Sequence, residues 1–523
     1  MLGTTFYKFH LGGQQLPSVV PTVGQGNTDT TKFHGLVLWS SDFHISPIAD
    51  IKHIVAGYGV SVIDKSLSGH CHLTGTCERD LKVINVQNGI SLQPCPNRLR
   101  TAFYDTYRAD TEMATVDAFL CLHATALCEL YLPFNRSLIV VASTRYEIGR
   151  HDAESWRQWN DNLRRIASSP YNVIAANNRY DQEYIKYFTG IDDVLLLPNM
   201  CGYVAARYHP TRKEILIAPA RGVNGYLSKQ LTHTLQTFNS QRPSTVPAAR
   251  GGTPSVRGGN TSTPLLSSPL SLAHIRDLYP HFEYTDLAAH PALVILPYQV
   301  SFMSLFEFYR MEIPMFIPSP DLLTDWHIAY GVMNERTWAT VHGRPAAASV
   351  LPRHPSSRAL QSDPNNEMSR AAVREWVALA DFYQWPHIAQ FASWEDLFRQ
   401  LATADLAGVS GRMRAYNAEE GGRIRAGWEG VLARVAAGKA QRLRTTHDQS
   451  LSATSGGQGG ITGNASSGGS QALQDGRGQG QGGLGQVVHP RARVNAALRA
   501  GYGVELVKGC TGQRAGRGDG DLG

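Results

Sequence analysis

The chain has 523 residues, 42% hydrophobic and 18% charged, with a formal net charge of +6 and a composition weighted in glycine (50) and proline (27). Its last 84 residues, 440–523, hold 21 of the glycines and nine Lys or Arg against five Asp or Glu, and the stretch 243–270 adds Arg250 and Arg257 without an acid, so the remaining 411 residues are neutral. A neutral body excludes a protein built mainly to neutralise phosphate backbones, a task that needs clustered surface cations, and it is long enough for two cores of about 200 residues each.

Residues 1–33 read as a flexible segment, and their first half carries Lys8, His10, Gln14 and Gln15 where a secretory leader needs an apolar run. The longest apolar stretches, such as Leu138 to Ala142 and Leu293 to Leu296, fall far short of the roughly 20 residues of a membrane helix. No membrane-spanning segment is expected. The chain as written would be cytoplasmic, or would belong to the secretory pathway and the Golgi if an N-terminal anchor precedes it.

Leu36 to Trp39 is an apolar run, Pro47 to Val55 has apolar residues at helical spacing, and Val60 to Ile63 is a second run after Gly59. Strand, loop, helix and strand in about 30 residues make a parallel crossover unit. Buried parallel strands are predicted again at Ala118 to Cys121, Leu138 to Val141, Val173 to Ala175 and Val194 to Leu197. Amphipathic stretches at Trp156 to Ile166 and Asp181 to Phe188 separate several of them, so residues 34–205 read as a doubly wound α/β domain. The loops that leave these strands carry the polar clusters Ser40 to Pro47, Ser143 to His151 and Ala176 to Asp181.

The cysteines leave the redox compartment open. Cys71 and Cys77 lack the second ligand pair that a zinc site requires at standard spacing, so they read as a disulfide or as two inert thiols.

The pattern restarts with a strand at Glu214 to Ala218 and a helix from Leu227 to Phe238. A disordered insertion follows at about 243–270, in which Arg250-Gly251-Gly252 and Arg257-Gly258-Gly259 lack the aromatic partners of RNA-binding segments and read as solvated. A helix is then predicted near Leu272 to Leu278, a strand at Ala292 to Leu296, a helix from Ser304 to Met311 and a strand at Met315 to Ile317. Residues 206–435 thus form a second Rossmann-like domain, and 440–523 a disordered tail too poor in apolar surface to offset its ordering entropy. Open α/β sheets bind ligands outside the carboxyl ends of their strands, so two such domains facing a cleft place the site between them.

The segment Leu296 to Ser319, with Gln299, Ser301, Ser304, Glu307 and the closing Pro318-Ser319, resembles the donor-binding motif of GT-B glycosyltransferases. Many members carry two glutamates eight residues apart; Glu307 matches the second, which the resemblance places on the ribose hydroxyls, and Gln299 stands at the first. Leu197-Pro198-Asn199 is similar to the close of a GT-B N-terminal domain, and Ala220-Arg221-Gly222-Val223-Asn224 to the loop after the first C-terminal-domain strand. Arg221, Asn224 and Lys229 would then join Gln299, Ser301, Ser304 and Glu307 around the donor, since guanidinium forks suit phosphate oxygens and helix N-termini favour anions. Trp394 to Leu397, Tyr416-Asn417 and Trp428 resemble the final helices of such enzymes, so the likeness covers about 34–435.

The resemblance implies a glycosyltransferase that takes a nucleotide sugar as substrate and a glycan or other glycoconjugate hydroxyl as acceptor, with no metal and no cofactor; the neutral body adds the expectation of no nucleic-acid partner. His44 or Asp42 would take the acceptor proton; Arg145, Glu147, Asn177 and Asn178 would hold the acceptor. A sugar-nucleotide epimerase or hydrolase of the same fold, and a non-catalytic glycan- or RNA-binding protein, are the alternatives.

Overall fold

The computed structural model describes residues 32–68, 81–92, 95–150, 152–220, 224–241 and 269–455. Their strands form two wholly parallel sheets. The first contains β1 (Val37–Ser40), β2 (Ser61–Asp64), β3 (Ala118–Cys121), β4 (Ser137–Ala142), β5 (Val173–Ala176) and β6 (Leu195–Leu196), in the order β2-β1-β3-β4-β5-β6. The second contains β7 (Ile215–Ala218), β8 (Leu272–His274), β9 (Leu293–Ile295), β10 (Met315–Pro318) and β11 (Ala389–Phe391), in the order β11-β10-β9-β7-β8. Read from its opposite edge, the second sheet repeats the winding of the first over five strands. Strand order therefore reverses between β1 and β3 and again between β7 and β9, and such reversals open the crevices in which α/β proteins bind ligands. The expected architecture, two Rossmann-like α/β units, is what the chain forms.

Alternation explains why these short runs become central strands. Trp39, Phe119, Val140 and Ile174 enter one core, whereas Leu38, Leu120, Ile139 and Val173 enter the other. Successive strand residues point to opposite faces, so both faces of the first sheet are covered. The helix Ile45–Ala56 packs on one face, and the helices Pro96–Tyr107, Ala153–Ala167 and Arg179–Thr189 on the other.

The helix Leu406–Ser455 returns to the first sheet: Ile424, Trp428, Val431, Leu432 and Val435 are buried against Leu120, Ile139, Val141 and Leu197. Glycine permits this approach, because a Cβ on Gly427 would sit 2.8 Å from Leu197 Cδ2 and one on Gly438 2.6 Å from Ser137 Oγ.

Three expectations change. The stretch Leu272 to Leu278 opens as a strand, with Leu272, Ala273 and His274 in register with Ile215, Leu216 and Ile217, and only Ile275–Leu278 is helical. Helix continues from 440 to Ser455, where glycine content had suggested the tail; 456–523 lie outside the described residues, as do nearly all of the insertion, Cys71 and Cys77. Phe33 is already buried, edge-on to Tyr58 at 6.1 Å, so ordered packing begins within the segment read as flexible.

Candidate functional site

The loop after β1 crosses the first reversal point. Asp42 is fully buried there, and both its carboxyl oxygens are engaged: Oδ1 accepts from His44 N at 2.7 Å, and Oδ2 from Leu122 N at 3.2 Å and His123 N at 2.9 Å. Burial pushes Asp42 up to about 7, against the pull of those backbone N–H groups. Asp42 thus fastens the end of β1 to the end of β3. The residue it presents is His44, whose ring stacks on His123 with centroids 3.8 Å apart and planes within 8°. Although the residue as a whole is exposed, burial of its ring, one face of which lies on His123, disfavours the imidazolium and lowers His44 below the usual histidine range. Burial, aided by His44 and Arg145, holds His123 well below the usual histidine range. His123 Nδ1 has no hydrogen-bond partner, and the Cys121–Cys128 disulfide brackets the loop that carries it.

The loops after β4 and β5 bring a second group to the same end of the sheet. Arg145 is buried, donates from Nη2 to Glu335 O at 2.6 Å and lies 5.4 Å over the Trp338 ring, while its Nε and Nη1 make no hydrogen bond. Glu147 Oε1 accepts from Tyr184 OH at 2.7 Å and its Oε2 has no partner; burial raises this carboxyl to about 7. Asn178 caps the helix Arg179–Thr189 through Asp181 N and donates from Nδ2 to Asn177 Oδ1 and Asp181 Oδ2, each at 2.7 Å. Asp181 Oδ1 is left without a partner, and burial lifts this acid to about 6 although Arg145 and Asn178 pull it down.

The second unit closes over this group. After β9 the loop carries Gln299, which donates to Tyr298 OH at 3.0 Å, and the buried Ser301. Asp381 N donates to Val300 O at 3.1 Å, and the charge of Asp181 adds to the effect of burial in holding Asp381 well above the usual range. A long excursion, 332–369, leaves the second unit and lies along the helix Arg179–Thr189: Glu335 and Trp338 meet Arg145, His354 N donates to Tyr187 O at 2.9 Å, and Asn365 Nδ2 donates to Tyr184 OH at 2.8 Å. The excursion is pinned at Glu367, which accepts from His327 Nε2 at 2.7 Å, Thr337 Oγ1 at 2.7 Å and Arg336 Nε at 3.2 Å. Burial alone would raise Glu367, but His327 and Arg336 bring it down to about 2.

The structure therefore gathers Asp42, His44, Arg145, Glu147, Asn177 and Asn178 at the carboxyl end of the first sheet, with Ser301 facing them. Ser304 lies in the first turn of the helix Met303–Arg310, half-buried. Glu307 sits deeper on that helix, buried, with Oε1 accepting from Tyr203 OH at 2.8 Å and Tyr284 OH at 2.9 Å. Asn224 caps the helix Gly225–Ser240, accepting from Tyr226 N at 2.9 Å, and Lys229 is exposed on that helix. Arg221 lies outside the described residues.

Sequence reading missed His123, Asp381, Arg336 and Glu367. His123 directly follows the apolar run of β3, a usable signal. The other three come from segments without periodicity and have none.

Among the described residues no three His, Cys, Asp or Glu side chains converge as a metal site, and no helix is long and apolar enough to cross a membrane. No protein-family model and no curated protein matches the chain. Solved structures similar to it include the glycosyltransferase SnogD from Streptomyces nogalater, at 11% identity and a TM-score of 0.29, covering 70% of this chain and 99% of that one. Another is a Listeria monocytogenes protein assigned as a UDP-N-acetylglucosamine 2-epimerase, at 12% identity and a TM-score of 0.32, covering 68% and 100%.

Proposed function

We propose that the chain is a GT-B-type glycosyltransferase that moves a sugar from a nucleotide sugar to an acceptor hydroxyl in the cleft between its two sheets. One observation carries this reading. Among the buried polar atoms without hydrogen-bond partners, Arg145 Nε and Nη1, His123 Nδ1, Glu147 Oε2 and Asp181 Oδ1 belong to residues that follow strands of the first sheet, and Asp381 Oδ2 to the segment packed beside the loop after β9. An unmet buried group costs about 1–3 kcal/mol, so a set this dense fits a ligand that supplies the missing bonds. Because the set mixes donors and acceptors, a polyhydroxylated ligand suits it better than a purely anionic or apolar one.

The residues divide the work as follows. Asp42 is closed off and fixes the turn. His44, neutral above about pH 4 and open to the cleft, takes the acceptor proton. The acceptor oxygen then bonds to the anomeric carbon as the bond from that carbon to the diphosphate oxygen breaks, and the nucleoside diphosphate leaves. Arg145, Glu147 and Asn177 face the acceptor. Ser301, Ser304 and the first turn of the helix Met303–Arg310 face the donor, where helix N–H groups favour negative charge. Glu307, already holding two tyrosine hydroxyls, supports the fold of the donor half. The buried Cys121–Cys128 disulfide and the disulfide-bonded Cys95 fit folding in an oxidising compartment, in keeping with the secretory alternative.

A thermal-shift panel of UDP, GDP, ADP and CMP sugars tests the reading. At least one is expected to raise the melting temperature, by linkage to the folded state, and to donate its sugar to a glycan acceptor. No stabilisation by any member sinks the proposal; turnover that needs no acceptor marks an epimerase or hydrolase instead.

A further inference from the structure

We infer that Asp381 contacts substrate: together with Asp181 opposite, it forms a carboxyl pair that grips hydroxyl groups of the donor's sugar. This rests on the glycosyl-transfer reading above and names a residue that the loop motif does not contain. The donor loop resembles a pattern with an acid at the position of Gln299, but Gln299 donates to its neighbour Tyr298. A buried carboxyl group beside that loop comes instead from a distant part of the chain, where Asp381 N donates to Val300 O at 3.1 Å.

Asp381 opens the short helix Asp381–Gln384, and several contacts fix its place. Its N–H donates to Val300 O at 3.1 Å, Phe382 packs against Phe302 with centroids 6.3 Å apart, and Tyr383 OH donates to Pro318 O at 2.6 Å. Immediately upstream, Trp376 lies edge-on to Tyr180 at 5.3 Å and to Tyr187 at 5.9 Å on the helix that carries Asp181. The segment 376–383 thus spans both halves of the cleft and holds Asp381 between the donor loop and Asp181.

Both acids are buried, and each keeps an oxygen with no partner, Oδ2 of Asp381 and Oδ1 of Asp181. Neither of these oxygens finds its partner in the other acid. A sugar presenting neighbouring hydroxyls donates one hydrogen bond to each.

The test is calorimetric titration of the full chain with UDP-glucose, UDP-N-acetylglucosamine and GDP-mannose, and with UDP and GDP alone, comparing wild type with Asp381→Asn and Asp381→Ala. Both substitutions are expected to weaken binding of the preferred nucleotide sugar by about tenfold or more and to leave the parent nucleoside diphosphate within about twofold. Equal weakening of sugar and diphosphate, or none, overturns the assignment to Asp381 and leaves glycosyl transfer standing. A wild type that binds none of the probes overturns both. If the Asp381 variants fail to fold, Asp181→Asn, approaching the pair from the other side, carries the same expectation and the same overturning result.

Discussion

At the scale of single residues, the contrast between Asp42 and His44 decides the chemistry. Two side chains in one turn offered the same role by sequence, and hydrogen-bond accounting separates them. Asp42 accepts three backbone N–H groups and has no open face, whereas His44 is exposed and held by its stack on His123. His44→Ala is therefore expected to fold with an unchanged melting temperature, to keep its affinity for the nucleotide sugar, and to lose turnover by about a hundredfold or more. Because His44 is held below the ordinary histidine value, the acid limb of the wild-type rate should lie below pH 6.5. A variant with full turnover would assign the proton to another group. Residues of this class were legible because they directly follow apolar runs, and strand ends of parallel sheets point at ligands. Asp381 was not legible, since nothing in its local sequence records that Val300 and Ser301 lie beside it.

At the scale of elements, the strands were readable and the excursion 332–369 was not. A buried parallel strand declares itself as a short apolar run, as at β4, where every residue is buried. β11 has only one buried position, and β8, half-buried at the sheet edge, was mistaken for helix. The excursion has no period at all and is organised around Glu367, which holds the fully buried Arg336 together with His327 and Thr337. Removing the acid leaves a buried guanidinium without its counter-charge, a change that costs about 3–5 kcal/mol. Glu367→Ala is accordingly expected to lower the melting temperature by on the order of 10 °C, with Glu367→Gln intermediate, since the amide keeps the shape and loses the charge. Glu335 and Trp338 flank Arg336 and hold Arg145, so activity should fall in parallel. A melting temperature within a degree or so of wild type would show that the excursion is anchored elsewhere.

At the scale of the whole molecule, the +6 net charge is accounted for by residues 243–270 and 440–523, and what governs the response to pH is a set of buried acids. Asp42 and Glu147 sit at about 7, and Asp50 and Asp181 at about 6, each raised chiefly by burial. Asp50 fastens the helix Ile45–Ala56 to the connector between the sheets, accepting from Met200 N at 2.7 Å and Gly202 N at 3.2 Å. From the ordinary carboxyl range up to about 7 the folded chain keeps protons that the unfolded chain has released, so these groups make stability fall as pH rises. His44 acts in the opposite sense: between about 4 and 6.5 the unfolded chain binds a proton that the folded chain refuses, and stability rises with pH across that window only. Above pH 6.5 the histidine contribution is complete, whereas Asp42 and Glu147 are still titrating. Each loses about 0.8 kcal/mol between pH 6.5 and 8, so the melting temperature is expected to drop by on the order of a few degrees over that interval. Glu147→Gln removes one of these groups while its side-chain oxygen still accepts from Tyr184, and should make the drop shallower. A melting temperature that rises from pH 6.5 to 8, or a slope unaffected by Glu147→Gln, would mean that these carboxyls are already ionised inside the fold.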